Sequence, residues 1–399
     1  MNVNRLVSLG VLAASTLAAN SALAASATPV MTGLDSPRGL AFGRHGALYV
    51  AQAGKGGSGP CQVIRGQTQC YGPTGRISRL WRGLQEDVVT GLPSSVATTG
   101  PDVGTATGPQ DIAVLGDHAV ITIGWGADPA LRTTAPAEVW QRFGRLVYAS
   151  LERSRRFWLG PDVSAYETLA NPDGGAVDSN PYGLLGWFKR GIVVTDAGAN
   201  DLLRVRRSDA SGEDHHEGRG RDDAGDESDD DNDDGEDHDG TRISTLAVFP
   251  SRSTNPRHPS CAVPGFPPFT DSVPTSVTIG PDGAYYVGEL SGVPFCAGNA
   301  NIYRVVRGQE PTVYCGGFTT ILDHAWGPDG KLYVLQHSNG PVFFATQGNV
   351  VRVDDGCVKT VVSPDLNRPG SLAFGPRGKL YVSVNSNATG AGQVVRIDP

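Results

Sequence analysis

The chain of 399 residues carries 33 Lys and Arg against 41 Asp and Glu, which gives a formal net charge of −8. Its 53 Gly and 28 Pro exceed the usual share of turn-forming residues, which favours many short strands over long helices. The basic residues are scattered along the chain and form no stripe, which excludes a nucleic-acid-binding surface.

The first 24 residues have the three parts of an export signal. Arg5 provides the positive start, residues 6–19 form an apolar run, and Ala22-Leu23-Ala24 is a small-x-small cleavage site. The run is shorter than the roughly 20 residues that a membrane-spanning helix needs, so cleavage is expected rather than a retained anchor. We therefore predict a mature chain of residues 25–399, secreted or periplasmic, without a membrane span.

One sequence pattern recurs six times in the mature chain. Most copies start with a Pro turn, followed by a short apolar strand, a turn and a second strand rich in Val and Tyr. The copies occupy residues 36–50, 108–122, 180–196, 273–287, 325–334 and 368–382. A third strand with alternating apolar residues follows at 76–81, 202–206, 301–306, 350–353 and 394–397. A fourth strand, such as residues 87–90, closes most copies, and this alternation is typical of half-buried strands.

Six antiparallel four-stranded units predict an all-β fold, a six-bladed β-propeller in a single domain over residues 25–399. The chain ends just after the third strand of the last copy, and the Thr-Gly-Leu in residues 27–34 resembles the fourth strand at 88–92. The N-terminus is thus predicted to complete the last blade, with residues about 28–33 beside 393–398, so that no free edge remains there.

The long insertions predict which face of the propeller is functional. In a blade, the connections from strand two to strand three and from strand four to the next strand one share a face, called the loop-rich face below. Most long insertions fall on it, at residues 53–74, 92–109, 125–143, 250–274, 290–300 and 337–347. Repeat proteins collect insertions on the binding face, so a ligand is expected there.

A low-complexity acidic segment, residues 208–240, joins strands three and four of the third copy and therefore belongs on the opposite face. It holds sixteen acidic residues against two arginines, so the rest of the chain has a small positive net charge. The segment has too few apolar residues to form a core and is predicted to be a disordered insert. It is either a solvated loop or a weak binder of Ca²⁺ or of a cationic surface.

All six cysteines lie in the mature part, and an even number in an exported chain favours disulfides over metal ligands. Cys61–Cys70 is predicted because the two lie in one loop. Cys261–Cys296 follows because both loops lie on the loop-rich face beside the fourth copy. This leaves Cys315–Cys357 by exclusion, although the two are predicted at opposite ends of different outer strands, and a bridge requires Cα atoms within roughly 7 Å.

Polar residues are predicted to ring the central opening on the loop-rich face. The binding candidates are Arg38, Asp111, Asn180, Asp196, Asn200, Glu289 and Arg368. Asp196, Glu289 and Asn180 carry the oxygen ligands that Ca²⁺ prefers, so Ca²⁺ is the candidate cofactor, although nothing in the sequence requires one. Asp323 or His324 is the candidate general base beside such an ion. Each candidate also has a structural interpretation, because Asx side chains cap turns and arginines pin neighbouring blades.

Four motifs stand out as a set: Asn180-Pro181-Tyr182-Gly183; Thr195-Asp196-Ala197-Gly198-Ala199-Asn200-Asp201-Leu202-Leu203; Gly292-Val293-Pro294-Phe295 with Gly298-Asn299-Ala300-Asn301-Ile302-Tyr303-Arg304-Val305; and Tyr166-Glu167 with Asn171-Pro172-Asp173-Gly174-Gly175. Together they resemble the ScyD/ScyE family of exported bacterial proteins across essentially the whole mature chain. The resemblance implies a propeller-like fold. The family takes its name from scytonemin genes, but pigment synthesis does not carry over to this chain, and its acidic insert and cysteines depart from the family pattern.

Two functional hypotheses remain open. The leading one is a monomeric exported propeller whose loop-rich face binds a small molecule, a glycan or a protein. The alternative is a divalent-metal-dependent lactone or ester hydrolase of the six-bladed propeller type. H-E-x-x-H, G-x-S-x-G and Walker-loop strings are absent, so the sequence assigns no enzyme class.

Overall fold

The computed structural model describes residues 25–152, 156–187, 191–207, 235–237, 240–253, 269–340 and 346–398. The predicted export signal, Cys261 and most of the acidic segment lie outside these residues, so the predictions about them stay predictions. The described piece of that segment, Gly235–Asp237, forms a short strand beside Thr241.

Six antiparallel sheets form the blades of a β-propeller, as the repeats predict. Blade one contains β2 (Pro37–Phe42), β3 (Leu48–Gln52), β5 (Gln67–Trp81) and β6 (Leu84–Ala97), with β4 (Cys61–Ile64) paired to β5 and β7 (Ala106–Thr107) to β6. Blade two contains β8 (Pro109–Leu115), β9 (His118–Ile123), β10 (Arg145–Ser150) and β11 (Phe157–Asp162). Blade three contains β12 (Pro181–Trp187), β13 (Gly191–Asp196), β14 (Asp201–Arg207), β16 (Thr241–Val248) and β15 (Gly235–Asp237).

The other three blades follow the same order. Blade four contains β19 (Pro274–Ile279), β20 (Tyr285–Glu289), β21 (Ala300–Val305) and β22 (Thr312–Phe318), after a two-stranded ribbon of β17 (Arg252–Ser253) and β18 (Phe269–Thr270). Blade five contains β23 (Ile321–Trp326), β24 (Leu332–Gln336), β25 (Asn349–Asp354) and β26 (Val358–Val361). Blade six contains β27 (Ser371–Phe374), β28 (Leu380–Val384), β29 (Gly392–Asp398) and β1 (Ser26–Leu34).

Helical turns lie in the connections between strands. They are α1 (Ala137–Trp140), α2 (Val163–Ala170) and 3₁₀ turns at Arg44–Gly46, Pro129–Thr133, Asp355–Cys357 and Pro376–Gly378. The connection that carries α2 runs from blade two to blade three on the loop-rich face, and the sequence patterns did not single it out as an insertion. Among the described residues, no helix combines the length and apolar character that crossing a membrane requires.

The core consists of apolar layers between neighbouring blades. Ile77 and Val89 of blade one pack with Ile121 and Val147 of blade two, and all four are fully buried. Second strands such as β3 are buried along their whole length because a blade covers each of their faces. This explains why they have continuous apolar runs rather than the alternation of half-buried strands.

The N-terminal strand closes the ring as predicted. β1 pairs antiparallel with β29, with Thr28 opposite Arg396 and Met31 opposite Val394. Met31 and Leu34 are each 1% exposed and pack against Val394 in the layer between blades six and one. β1 is therefore the outermost strand of blade six.

Two predicted disulfides are present. Cys61 and Cys70 face each other across the β4–β5 pair, with their Cα atoms 4.1 Å apart. Cys315 and Cys357 are also bonded, with a Cα separation of 5.5 Å, so placing them at opposite ends of different strands was wrong. Cys315 lies in the middle of β22, and the turn of blade five that holds Cys357 packs against that strand. Beside the disulfide, Lys359 donates to the carbonyl oxygen of Gly316.

Replacing Met31 with Ala should lower the free energy of unfolding by about 2–5 kcal/mol, because it leaves a cavity in the closing layer. The control is Leu84→Ala, which removes a side chain that is 62% exposed and should change stability by no more than about 0.5 kcal/mol. Urea unfolding followed by tryptophan fluorescence measures both. Equal effects of the two variants would contradict closure by β1.

The third disulfide is open to a direct test. Cys296 is buried and disulfide-bonded, and we expect Cys261 to be its partner. Peptide mapping by mass spectrometry without reduction should yield one fragment that joins the two. A free Cys261, or a fragment joining it to any other cysteine, would show that the pairing is incorrect.

Candidate functional site

The central channel is nearly closed by the first strands of the blades. Its lining residues are Gly39, Gln110, Asp111, Tyr182, Thr275, Leu322, Asp323, Gly370 and Ser371, around a cavity of about 10 Å³. Such a volume holds about one water molecule. Glycine is required where strands approach most closely, because a Cβ added to Gly183 would lie 2.5 Å from the carbonyl oxygen of Thr275. The axis is thus packed core rather than an open binding channel.

Asp111 and Asp323 join neighbouring blades at this axis. Asp111 accepts hydrogen bonds from the backbone N–H groups of Ile112 and Leu184, each at 2.8 Å. Asp323 accepts in the same way from the N–H groups of His324 and Leu372, at 2.8 and 2.9 Å. Burial raises the pKa of both carboxyls, that of Asp323 to about 6. These hydrogen bonds give both residues a structural role in joining the blades.

His324 is buried and uses both ring nitrogens within the fold. Its Nε2 lies 3.1 Å from the carbonyl oxygen of Tyr286 and donates to it, so Nδ1 accepts from the Ser276 hydroxyl at 2.7 Å. Burial lowers the pKa of His324 to about 4. The side chain is therefore neutral and bound between blades four and five, where it makes no contact with the loop-rich face.

Glu289 is held by an arginine that the sequence analysis did not identify. Its fully buried carboxylate forms a bidentate pair with Arg252 and also accepts from Ser272 and from the backbone N–H of Asn301. Burial raises the pKa of Glu289, and Arg252 opposes that shift. Arg252 lies in β17, far along the chain and outside the repeats, so its pairing with Glu289 had no sequence signal.

Asp196 caps the turn between β13 and β14. Its carboxylate accepts from the hydroxyl of Ser179 and from the backbone N–H groups of Asn180, Gly198 and Ala199. Burial raises its pKa to about 6 and these hydrogen bonds moderate the shift. All of the donors come from blade-three loops, which agrees with the turn-capping interpretation.

The remaining binding candidates also hold loops in place. Asn180 accepts from the backbone N–H of Trp125 at 3.1 Å, and Arg38 donates to the carbonyl oxygen of Ala106 at 3.3 Å. The backbone carbonyl of Arg368 accepts from Ser386 at 3.0 Å. Asn200 is 6% exposed. It donates to Asp173 at 2.9 Å and accepts from the backbone N–H of Val273 at 3.0 Å.

Four acidic side chains meet beneath the loop-rich face at blade three: Glu167, Asp173, Asp196 and Asp201, the blade-three cluster. Glu167 comes from α2, Asp173 from the loop that follows it, and the last two from either end of the turn between β13 and β14. In the sequence, Glu167 and Asp173 stand out only as part of a motif that resembles the ScyD/ScyE family. Their shared motif was the one signal that could have identified them as site residues.

The pKa values of Glu167 and Asp201 in the blade-three cluster are raised. Burial and the charges of Asp196 and Asp173 raise the pKa of Glu167 to about 8. Burial and then the charges of Asp196 and Glu167 raise the pKa of Asp201 well above its ordinary value. The backbone N–H of Asp178 lies close enough to Glu167 to lower its pKa, but it does not form a hydrogen bond with it. Loss of hydration on burial is the main physical cause, and repulsion between the carboxylates adds to it.

Connections from three blades cover this region. The tip of the β4–β5 hairpin of blade one reaches blade three, where Arg65 pairs with Asp178, and Gln62 donates to the carbonyl oxygen of Leu131 in blade two at 2.9 Å. Burial raises the pKa of Asp178 and Arg65 lowers it. The charges of Asp128 and Asp271 raise it as well. We call these three acidic residues the acidic rim.

The three metal candidates are not brought together. Asp196 and Asn180 share one turn of blade three, whereas Glu289 is paired with Arg252. Across the described ranges, no three His, Cys, Asp or Glu side chains form a ready-made metal-binding group.

No protein-family model and no curated protein matches the sequence. Among solved structures, a streptogramin B lyase aligns with a TM-score of 0.45 and 12% identity, over 94% of this chain and 97% of the other. A putative glucose dehydrogenase from Thermus thermophilus aligns with a TM-score of 0.49 and 15% identity, over 94% and 100%. The soluble aldose sugar dehydrogenase of Escherichia coli gives 0.46 and 13%, over 94% and 99%. Similarities this distant assign no function to the chain.

The pKa of His324 predicts a pH-dependent loss of stability. A His with a folded-state pKa of about 4 and an ordinary value of 6.5 contributes stability above pH 6.5 that is lost as the pH falls toward 4. His324→Gln should remove up to about 3 kcal/mol of this loss. Asp323 has a raised pKa, so its contribution to stability grows as the pH falls. That contribution is present in both wild type and His324→Gln.

Urea unfolding of wild type and His324→Gln across this pH range provides the measurement. The wild-type free energy of unfolding should fall more steeply with acidification than that of the variant. Parallel profiles would mean that His324 is solvated and available as a base.

Proposed function

We propose that this chain is an exported β-propeller of the ScyD/ScyE type that binds a ligand on its loop-rich face, above blade three. The observation that carries the proposal is the meeting of loops from blades one, two and three at the acidic rim, through Arg65 and Asp178. Loops on a rigid scaffold are the usual place for binding residues. The disulfides of the chain support export, because such bonds persist in oxidising compartments.

The chemistry of the acidic rim favours ligands with hydrogen-bond donors. Asp128 and Asp271 are exposed, and each has a carboxylate that accepts from a local donor, Ala130 or Ser251. Carboxylates are acceptors only, so they select hydroxyl or amino groups. Among a small molecule, a glycan and a protein, we therefore propose a glycan or a small molecule rich in such groups.

The hydrogen bonds of the axial residues favour binding over the alternative, a metal-dependent lactone or ester hydrolase. Asp323 and His324 direct their polar atoms at backbone and side-chain partners within the fold. A general base must reach a proton of the substrate, and neither residue is placed to do so. The hydrolase remains the second hypothesis for the experiment below.

A pair of matched double variants tests the binding surface. Asp128→Asn/Asp271→Asn removes two charges of the acidic rim while keeping an acceptor oxygen at each position. Asp329→Asn/Asp355→Asn does the same on exposed turns of blade five, on the opposite face. The probes are neutral and amino-sugar oligosaccharides on an array, and spermidine in calorimetry.

We expect the acidic-rim variant to weaken binding about tenfold or more, a cost of about 1.4 kcal/mol, and the control to bind like wild type. Equal binding by both variants would place the ligand elsewhere, and no binding to any probe would reject the proposed ligand class. Turnover of lactones or aryl esters with Ca²⁺, abolished by Asp323→Asn, would favour the hydrolase instead.

A further inference from the structure

Six buried oxygen atoms near blade three lack a hydrogen-bond donor among the residues that the structure describes. They are both carboxylate oxygens of Glu167, both of Asp201, Oδ1 of Asn171 and Oδ1 of Asp178. The side chains of Glu167 and Asp201 are 1% and 0% exposed. Other unpartnered buried atoms in the described chain include nitrogen donors, but here every one is an oxygen acceptor.

Such a group of oxygens is stable only if the carboxyls are protonated or a positive partner binds them. Burying a carboxylate without a donor or counter-ion is costly, and two facing each other repel as well. No Lys, Arg or His of the described chain is among the groups that shift Glu167 or Asp201. Arg65 reaches only Asp178, at the outer end of the region.

We propose that one Ca²⁺ ion binds between Glu167 and Asp201, with Asn171 as a neutral ligand. Asp173 and Asp196 contribute negative charge, but hydrogen bonds already occupy their oxygens. Two charged ligands define the site rather than three, in keeping with the absence of a ready-made group of three in the described residues. None of the proposed ligands is one of the three metal candidates of the sequence analysis, although Asp196 lies beside the site.

The ligand types select Ca²⁺ among common cations. Every proposed donor atom is oxygen, whereas Zn²⁺ favours thiolate and imidazole ligands. Ca²⁺ accepts six to eight oxygens in flexible geometry, whereas Mg²⁺ demands a small octahedron and keeps its waters. Two carboxylates, on a helix and at a strand end, and an amide oxygen just after the helix suit the flexible ion.

The ion would link α2 to the start of β14 and fix the loop that connects α2 to β12. That loop includes Asp178, which belongs to the acidic rim. The Ca²⁺ site does not depend on the proposed ligand, because its residues lie beneath the surface. Failure of one proposal therefore leaves the other open.

Thermal unfolding and calorimetry of the full mature chain, first treated with EDTA, test the site with CaCl₂ and MgCl₂. Saturating Ca²⁺ should raise the Tm of wild type by several degrees, on the order of 5 °C, and Mg²⁺ by much less. Calorimetry should show one tight Ca²⁺ per chain above the weak background that the acidic segment contributes.

The test variant is Glu167→Gln/Asp201→Asn, and the control is Asp329→Asn/Asp355→Asn. In EDTA the test variant should be folded and at least as stable as wild type, because it removes repelling carboxylates. It should lose the tight Ca²⁺ and the Tm shift, whereas the control keeps both. Equal Ca²⁺ shifts in wild type and test variant, or no shift in wild type, would overturn the proposal.

Discussion

The pairing of β1 with β29 is the interaction on which the whole ring depends. Each blade buries its faces against two neighbours, so an open ring would expose the apolar layer between blades six and one. Sheet closure by strands from both chain ends removes that exposure and covers a free edge at the same time. The fixed positions of all six blades, and hence of their loops, follow from this closure.

The closed ring forces the first strands together at the axis. The cavity that the first strands line at the axis measures about 10 Å³ and holds about one water molecule. Asp111 and Asp323 bind backbone N–H groups of the next blade, and His324 bridges blades four and five. The polar groups at the axis thus serve as bonds between blades.

The longer connections between strands provide room for a ligand or cation site that the axis does not. The path from blade two to blade three carries α2 and the loop after it, and both end beside the turn between β13 and β14. Acidic residues from these segments meet where water is excluded, which accounts for the raised pKa of Glu167 and Asp201. The hairpin of blade one then reaches over them to Asp178. A buried cation and a ligand on the surface above it would use the same scaffold for different purposes.

The sequence by itself determined the number of blades, the closing strand and the Cys61–Cys70 disulfide, because repeated alternation, turn residues and a bond within one loop are local properties. It gave Cys315–Cys357 only by exclusion, because that bond joins two blades. It also offered turn capping as one interpretation of Asp196, since two of its donors, Gly198 and Ala199, lie within three positions. It could not show that Asp323 binds blade six, that Arg252 neutralises Glu289, or that, besides burial, the charge of Glu167 raises the pKa of Asp201. These contacts join segments distant in the chain, and only ring closure and the path of the loops bring them together.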